Sequence, residues 1–273
     1  MCIAPTVPEV QLGQTLLSSS SRYLVLDFIG EGCFGKVAKC CNMDTDKTVA
    51  VKILKNNDFA EDTEKELSML KEISVLNPDL TNVVKFLEQF EHIGHTCLAF
   101  EMLDRSLYDL IHEKNYQPLS LQEIRPIAKQ LMVALDALKG LGILHADIKP
   151  DNVMFVNLQD QPLRVKLIDF GQAMSASKIQ AGLEIQPCGY RAPEVVLGLP
   201  FTEAVDVWGV GCILAFLYLA DNPFPVGCPY NMTPEEFSDV NGIEAEEWSD
   251  TVGLSSPLEE LVDVGALCCV VLV

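Results

Sequence analysis

One apolar run near the end of the chain constrains the fold more than any other feature. Residues 203–220 form a nearly continuous apolar helical pattern. A helix that is apolar on all sides is buried rather than laid on a surface, so the chain needs a helical body that surrounds it. The composition agrees, because 49% hydrophobic and 21% charged residues over 273 positions are typical of a globular chain long enough for two lobes.

The hydrophobic period changes about a third of the way along the chain. The first part is rich in short β-type runs, at Tyr23–Ile29, Thr48–Leu54, Val83–Phe90 and His95–Met102, with one helical pattern at 60–76. From Leu121 the period is helical up to the glycines Gly140 and Gly142, and two short β runs follow at Val153–Val156 and Val165–Ile168. This order predicts an α+β protein with two lobes that meet near residues 101–104.

The turn between the first two strands is rich in glycine. Residues Gly30–Val37 follow the pattern G-x-G-x-x-G-x-V, in which glycines let the backbone approach phosphate oxygens closely. A dinucleotide-binding turn has similar glycines but opens into a helix. Here a strand follows, which disfavours a dinucleotide and favours a phosphate-binding loop of another type.

Lys52 lies on the second predicted strand, where its charge would face phosphate oxygens in a cleft. Such a lysine needs a carboxylate to hold it. The acidic start of the following helix offers Glu66 or Glu64, and Glu66 is favoured because it precedes the core-facing Leu67 and Leu70.

The chemistry is concentrated in two segments of the second lobe. His145–Asn152 contains Asp147, Lys149 and Asn152, and Asp169-Phe170-Gly171 follows 17 residues after it. Phosphoryl transfer needs a carboxylate that orients the attacking hydroxyl and oxygen ligands for Mg²⁺. Asp147 is the candidate base, Asn152 and Asp169 are the candidate metal ligands, and Lys149 is placed to offset charge on the phosphoryl group.

Together with Ala192-Pro193-Glu194, these motifs resemble the signature set of eukaryotic protein kinases. In detail the chain resembles the homeodomain-interacting protein kinases, a branch of the CMGC kinases near the dual-specificity, tyrosine-regulated group. The resemblance runs from about Tyr23 to Ala220 and is carried by Val51–Asn56, His95–Leu103 and Tyr190–Phe201.

The resemblance implies a two-lobed kinase fold with a β-rich N-lobe and a mainly helical C-lobe. It also implies an enzyme that uses ATP and Mg²⁺ to phosphorylate serine or threonine of protein substrates, and phosphorylation of tyrosine stays open as an alternative. It further implies that Phe100 is the gatekeeper of the adenine pocket, and that Lys52 and Glu66 anchor the phosphates. The residues expected to bind ATP are Gly30, Glu31, Gly32, Cys33, Phe34, Gly35, Val37, Ala50, Lys52, Glu101 and Leu103.

The activation segment departs from the pattern of the related kinases. Their activating tyrosine corresponds to Glu184, and the arginine that would hold its phosphate corresponds to Cys188. Position 146, which is arginine in many kinases, is Ala146. Between residues 172 and 189 only Ser175 and Ser177 carry hydroxyls, so we expect no tyrosine switch and doubt a preference for proline after the target residue.

The C-lobe is expected to be shortened. After residue 220 the chain passes directly to a segment that resembles a much later part of the family, and no Lys or Arg follows Arg191. Glu194 then lacks its usual arginine, and burial of that unpaired carboxylate would lower stability. The boundaries expected are a flexible lead 1–22, an N-lobe 23–103, a C-lobe core 104–220 and an acidic divergent segment 221–273. Two alternatives stay open: an inactive nucleotide-binding scaffold, and an unstable truncated splice product.

Charge limits the partners. The net charge is −20, with 39 acidic against 19 basic residues, which disfavours direct binding to nucleic acid or to an anionic membrane. Ten cysteines show no zinc-type spacing, and no secretory signal is visible, so we expect an intracellular protein. By resemblance it acts on transcriptional regulators in the nucleus, the cytoplasm or both, while its oligomeric state stays open.

Overall fold

The computed structural model describes residues 8–32, 35–54 and 60–224, without the side chains of 60–62. The tip of the glycine-rich turn, Cys33 and Phe34, and most of the expected divergent segment therefore lie outside the described residues. The chain divides into two compact units. The first comprises the residues up to Pro78 together with Val83–Asp104, and the second comprises Asp79–Asn82 and the residues from Arg105 onward.

The first unit is built on a sheet of six strands in the order β1-β2-β3-β4-β6-β5, in which all neighbours are antiparallel. The strands are β1 (Thr15–Leu17), β2 (Arg22–Gly32), β3 (Gly35–Asn42), β4 (Lys47–Leu54), β5 (Phe86–His92) and β6 (His95–Glu101). Helix α1 (Ala60–Ile73) joins β4 to the rest of the unit. The predicted β-rich first lobe with a single long helix is confirmed.

One face of this sheet carries the core of the first unit. The alternate residues Ala38 and Cys40 of β3 and Val49, Val51 and Ile53 of β4 are buried there, as the period of two in a strand requires. Val10 and Leu16, which precede β2, are buried in the same cluster. The expectation of a flexible lead over residues 1–22 is therefore wrong for residues 10–17, because these two apolar side chains and the pairing of β1 fix that stretch to the sheet.

The second unit is mainly helical, as predicted. Its helices are α2 (Pro78–Thr81), α3 (Leu107–Glu113), α4 (Leu121–Gly140), α5 (Pro193–Val196) and α6 (Val205–Leu219). Two small antiparallel pairs accompany them: β7 (Ile143–Leu144) with β10 (Met174–Ser175), and β8 (Val153–Asn157) with β9 (Gln161–Leu167). No helix in the described ranges is long and apolar enough to cross a membrane.

Helix α6 occupies the centre of the second unit. Its residues from Val205 to Leu217 are almost all buried, and it packs against α4. The helix is two residues shorter at its start and one shorter at its end than the apolar run predicts. It ends at Ala220, whose φ of 56° lies in the left-handed region and so cannot continue a right-handed helix.

Candidate active site

The first unit contributes a lysine held by a carboxylate. Lys52 of β4 donates a hydrogen bond of 2.7 Å from Nζ to Oε1 of Glu66 in α1. Glu66 is buried together with Leu67 and Leu70, while Glu64 on the same helix is exposed. The sequence favours Glu66 over Glu64, and in the structure it is the buried Glu66 that bonds to Lys52.

Three of the residues expected to bind ATP share one face of the sheet. Val37 of β3 pairs in register with Lys52, and Ala50 precedes Lys52 by two residues. Since side chains in a strand alternate between faces, these three point to the side opposite the buried cluster. Ala50 also pairs with Phe100 of β6, so the expected gatekeeper lies beside the expected adenine contacts.

Two hydrogen bonds hold the end of β6, directly after the expected gatekeeper. The backbone N–H of Glu101 donates to the carbonyl of Lys85 at 3.0 Å, and the Glu101 carboxylate accepts from the N–H of Lys85 at 2.6 Å. Leu103 is buried two residues later. The two bonds thus fix Glu101, the last residue of β6, to Lys85.

Of the three glycines in the phosphate-binding turn, Gly35 is required by the backbone. A Cβ at this position would lie 2.1 Å from the carbonyl oxygen of Ile53, closer than any side chain tolerates. At Gly30 the nearest atom would be Val37 Cβ at 3.7 Å, and at Gly32 no atom lies within 4 Å. Glu31, expected in the turn, lies at the end of β2 and pairs in register with Lys36 of β3.

In the second unit, two side chains contact one carboxylate. Lys149 Nζ lies 3.1 and 3.0 Å from the two carboxylate oxygens of Asp147, and Asn152 Nδ2 donates to Oδ2 of Asp147 at 2.7 Å and to its backbone carbonyl at 2.9 Å. Burial raises the pKa of Asp147 above its usual range, and the positive charge of Lys149 opposes that shift. The lysine and the amide therefore fix the orientation of the carboxylate that the sequence marks as the base.

Two oxygen groups beside this cluster fit a hard cation. Asn152 uses its amide nitrogen for Asp147, and no hydrogen bond from a described residue engages its amide oxygen. Asp169 is exposed, and its Oδ1 accepts from the N–H of Gly171 at 3.3 Å. An amide oxygen and a carboxylate match the ligand preference of Mg²⁺, which keeps its remaining positions for waters and substrate phosphates. In the described ranges no group of three or more His, Cys, Asp or Glu could hold a metal ion.

The loop His145–Asn152, which contains the candidate base, is attached to the core by Asp206, a residue outside the sequence motifs. Asp206 of α6 accepts from the backbone N–H groups of His145 at 2.7 Å and Ala146 at 3.0 Å. The ring of His145 in turn lies 3.0 Å through Nε2 from the carbonyl of Ile168 and packs edge-on against Phe170. A signal for Asp206 existed in the sequence, since it is the only charged residue in the apolar helix α6.

The comparison with known families decides what this arrangement is. A family model described as protein kinase domain matches residues 23–266. The chain belongs to the protein kinase domain family. In this kinase domain Lys52 pairs with Glu66, and Asp147, Lys149 and Asn152 form one cluster.

The curated relatives narrow the family. The kinase domain is 45% identical over 234 residues to homeodomain-interacting protein kinase 1 of Mus musculus, which covers 85% of this chain and 19% of that protein. It is 45% identical over 212 residues to homeodomain-interacting protein kinase 1 of Caenorhabditis elegans, covering 77% of this chain and 25% of that protein. It is 41% identical over 220 residues to homeodomain-interacting protein kinase 4 of Homo sapiens, and the match covers 80% of this chain and 36% of that protein. The chain therefore spans about a fifth to a third of the length of these relatives.

The structure corrects one expectation about Glu194. Its side chain is half-buried rather than buried, and no lysine or arginine of the described residues forms an ion pair with it. A carboxylate that keeps contact with water does not incur the full cost of an unpaired buried charge. The large loss of stability expected from a missing arginine partner is therefore not required by the described part of the chain.

Proposed function

We propose that this kinase domain transfers the γ-phosphoryl group of ATP to serine or threonine hydroxyls of protein substrates. The observation that carries the proposal is the cluster about Asp147, in which one carboxylate is oriented by both Lys149 and Asn152. Orientation of the attacking hydroxyl is the main task of a protein side chain in phosphoryl transfer.

Asp147 acts on the nucleophile. Its carboxylate accepts the proton of the substrate hydroxyl while that oxygen forms a bond to the γ-phosphorus and the bond to the β–γ bridging oxygen breaks, which releases ADP. Lys149, 3.0 Å from the same carboxylate, neutralises charge on the transferred group. Loss of the contact with Lys149 or of the contact with Asn152 would shift the carboxylate of Asp147 relative to the substrate hydroxyl. An in-line reaction is sensitive to shifts of less than an ångström.

The remaining residues bind the nucleotide. Lys52 holds the phosphates and is itself held by Glu66, while Val37 and Ala50 contact the adenine and the glycine-rich turn covers the phosphates. Bound Mg²⁺ would neutralise charge on the β- and γ-phosphates, and Asn152 and Asp169 are the residues that would hold it. The scaffold alternative is less favoured, because each residue that this chemistry requires is present.

The substrates are proteins, and we infer a preference for basic ones. The names of the relatives state an interaction with homeodomains, and DNA-binding domains carry basic surfaces. The net charge of −20 in this chain would attract such surfaces over a distance. Transcriptional regulators are therefore the proposed substrates, which places the activity in the nucleus at least part of the time.

The test uses Asp147→Asn on the full chain. We expect phosphate transfer from labelled ATP to a basic protein to fall by about 10²- to 10⁴-fold, while the affinity for ATP with Mg²⁺, measured by calorimetry, is retained. Asp136→Asn, an exposed acid on α4, is the matched control and should transfer as the wild type does. Equal transfer by Asp147→Asn would overturn the proposal, and binding without transfer by the wild type would favour the scaffold.

A further inference from the structure

The chain that precedes the first motif strand packs beside the glycine-rich turn. Val10 is 5% exposed and belongs to the buried cluster that contains Ala38 of β3 and Val51 of β4. Burial of one large apolar side chain stabilises the attachment of such a segment. Val10 therefore fixes the positions of Pro8 and Glu9, which precede it, over the same face of the sheet.

Glu9 forms an ion pair with the residue that directly follows the last glycine of the turn. Lys36 donates a hydrogen bond from Nζ to Oε1 of Glu9, and its Nζ lies 4.0 Å from Oε2 of Glu31 and 5.6 Å from the ring centre of Phe28. The hydrogen bond from Lys36 lowers the pKa of Glu9, and the bond to Glu9 raises the pKa of Lys36. Each group thus favours the charged form of the other.

A second attachment reaches the other side of the same turn. His95, at the start of β6, lies 2.9 Å through Nε2 from the carbonyl oxygen of Pro8 and 3.3 Å through Nδ1 from that of Leu54. Leu54 is the register partner of Gly35. The segment Pro8–Val10, which we name the N-terminal strap, is thus attached to β3 through Lys36, and its Pro8 carbonyl lies against the ring of His95 at the start of β6, beside the end of β4.

We propose that Glu9 is a positioning residue for nucleotide binding, which acts through Lys36 to hold the base of the glycine-rich turn in place before ATP arrives. This inference rests on the proposed function. A turn that is already ordered loses less conformational entropy when its backbone N–H groups close on phosphates, so it binds them more tightly. The same contacts exist in the bound substrate and in the transition state, so the effect belongs in KM for ATP and not in kcat.

The experiment compares Glu9→Gln with the wild type in steady-state kinetics and in calorimetric titration with ATP and Mg²⁺. We expect KM and Kd for ATP to rise about two- to fivefold, the range of exposed ion pairs, with kcat unchanged. Glu9→Asp should restore most of the affinity. Glu9→Gln should have no further effect in a Lys36→Met background, because the two residues act as one unit.

Asp44→Asn is the matched control. It breaks an exposed ion pair of the same kind with Arg22 at the opposite end of the same strands, and it should leave KM for ATP unchanged. Hydrogen exchange gives a reading independent of nucleotide: Glu9→Gln should speed exchange of the amides of residues 28–38, and Asp44→Asn should not.

The outcomes separate this inference from the proposed function. Wild-type affinity for ATP in Glu9→Gln, or an equal effect in the Lys36→Met background, would overturn the role of Glu9 alone. If Glu9→Gln speeds amide exchange but leaves the affinity for ATP unchanged, the contact is structural only. That result would also overturn the proposed role of Glu9 in nucleotide binding. A wild-type chain that binds no ATP at all would overturn the proposed function together with this inference.

Discussion

The carboxylate of Asp206 in α6 accepts a hydrogen bond of 2.7 Å from the backbone N–H of His145, which lies 61 residues earlier in the chain. A second bond of 3.0 Å comes from the N–H of Ala146, whose φ of 62° lies in a region that costs a non-glycine residue free energy. Burial raises the pKa of Asp206, and the two N–H groups oppose that shift. One carboxylate thus fixes the backbone that carries Asp147 to the central helix.

Replacement of this carboxylate should cost both stability and activity. Asp206→Ala leaves two buried N–H groups without an acceptor, and we expect the free energy of unfolding to fall by about 3 kcal/mol or more. Asp206→Asn keeps one acceptor and should lose less. Urea unfolding of the full chain measures the change, with Asp136→Ala, an exposed acid on the neighbouring helix α4, as the control. Equal stability of the alanine variant and the control would show that the loop is held by other contacts.

The ion pair between Lys52 and Glu66 should decide the affinity for phosphates. In Glu66→Gln the lysine loses its charged partner in a mostly buried setting, so its ammonium is no longer held toward the phosphates. We expect kcat/KM for ATP to fall by at least about tenfold, since breaking such a pair costs a few kcal/mol.

Glu64→Gln is the matched control for this pair, because Glu64 lies on the same helix but is exposed. It should keep the kinetics of the wild type. If both variants lost the same activity, the effect would belong to the helix and not to the carboxylate that contacts Lys52.

Features whose cause lies within a few residues were predicted well from the sequence. Helix α4 was expected to run from Leu121 to Gly140 and does so, because the Glu123 carboxylate accepts from the N–H of Ser120 at 2.8 Å and the apolar period is regular. The cluster of Asp147, Lys149 and Asn152 is also local, since its contacts span at most five residues. The pairing with Glu66 was predicted from the apolar residues that follow it.

Features that depend on distant parts of the chain were not predicted. The contact of Asp206 with His145 requires the packing of α6 beneath the catalytic loop, which no local pattern encodes. The burial of Val10 and Leu16 in the sheet, within the expected flexible lead, was missed for the same reason. Strand β5 was predicted to start at Val83 but starts three residues later, at Phe86. Val83 and Val84 are buried, and a sequence pattern does not distinguish buried apolar residues of a strand from those of the turn that precedes it.

The pH dependence of the reaction should report on Asp147. Its burial raises its pKa, and Lys149 lowers it. The base must be ionised to accept a proton, so kcat/KM should fall as the pH drops through a value above the usual aspartate pKa of about 3.9. Lys149→Met removes the opposing charge, which should raise that pKa further and move the acid limb to higher pH.

The comparison of the two profiles makes this prediction specific. Ionisation of ATP itself affects the wild type and Lys149→Met equally, so only the shift between them reports on Asp147. Phosphate transfer by the wild type and by Lys149→Met, measured in a series of buffers of constant ionic strength, gives the acid limb of each profile. An acid limb at the same pH in both enzymes would contradict the assignment of Asp147 as the ionising base.

The activation segment is held by contacts that need no phosphate. Arg191 donates from Nε to the carbonyl of Ile185 at 2.9 Å and from Nη2 to that of Gln186 at 2.9 Å. The buried side chain of Gln186 donates to the carbonyl of Val205 and accepts from the N–H of Ala192, both at 2.9 Å. The bonds of Gln186 join the activation segment to Val205 at the start of α6 and to Ala192, which directly precedes α5.

We therefore expect activity without phosphorylation of this segment. The double variant Ser175→Ala with Ser177→Ala should keep kcat/KM within about twofold of the wild type, because the two hydroxyls contact each other at 2.8 Å in an exposed position and exposed changes of this kind have small effects. Gln186→Ala should instead lower kcat/KM, since it removes two buried hydrogen bonds from the segment. Phosphate transfer by protein treated with a phosphatase measures both. Loss of activity on treatment, or in the double serine variant, would mean that a phosphate and not the Gln186 and Arg191 contacts orders the segment.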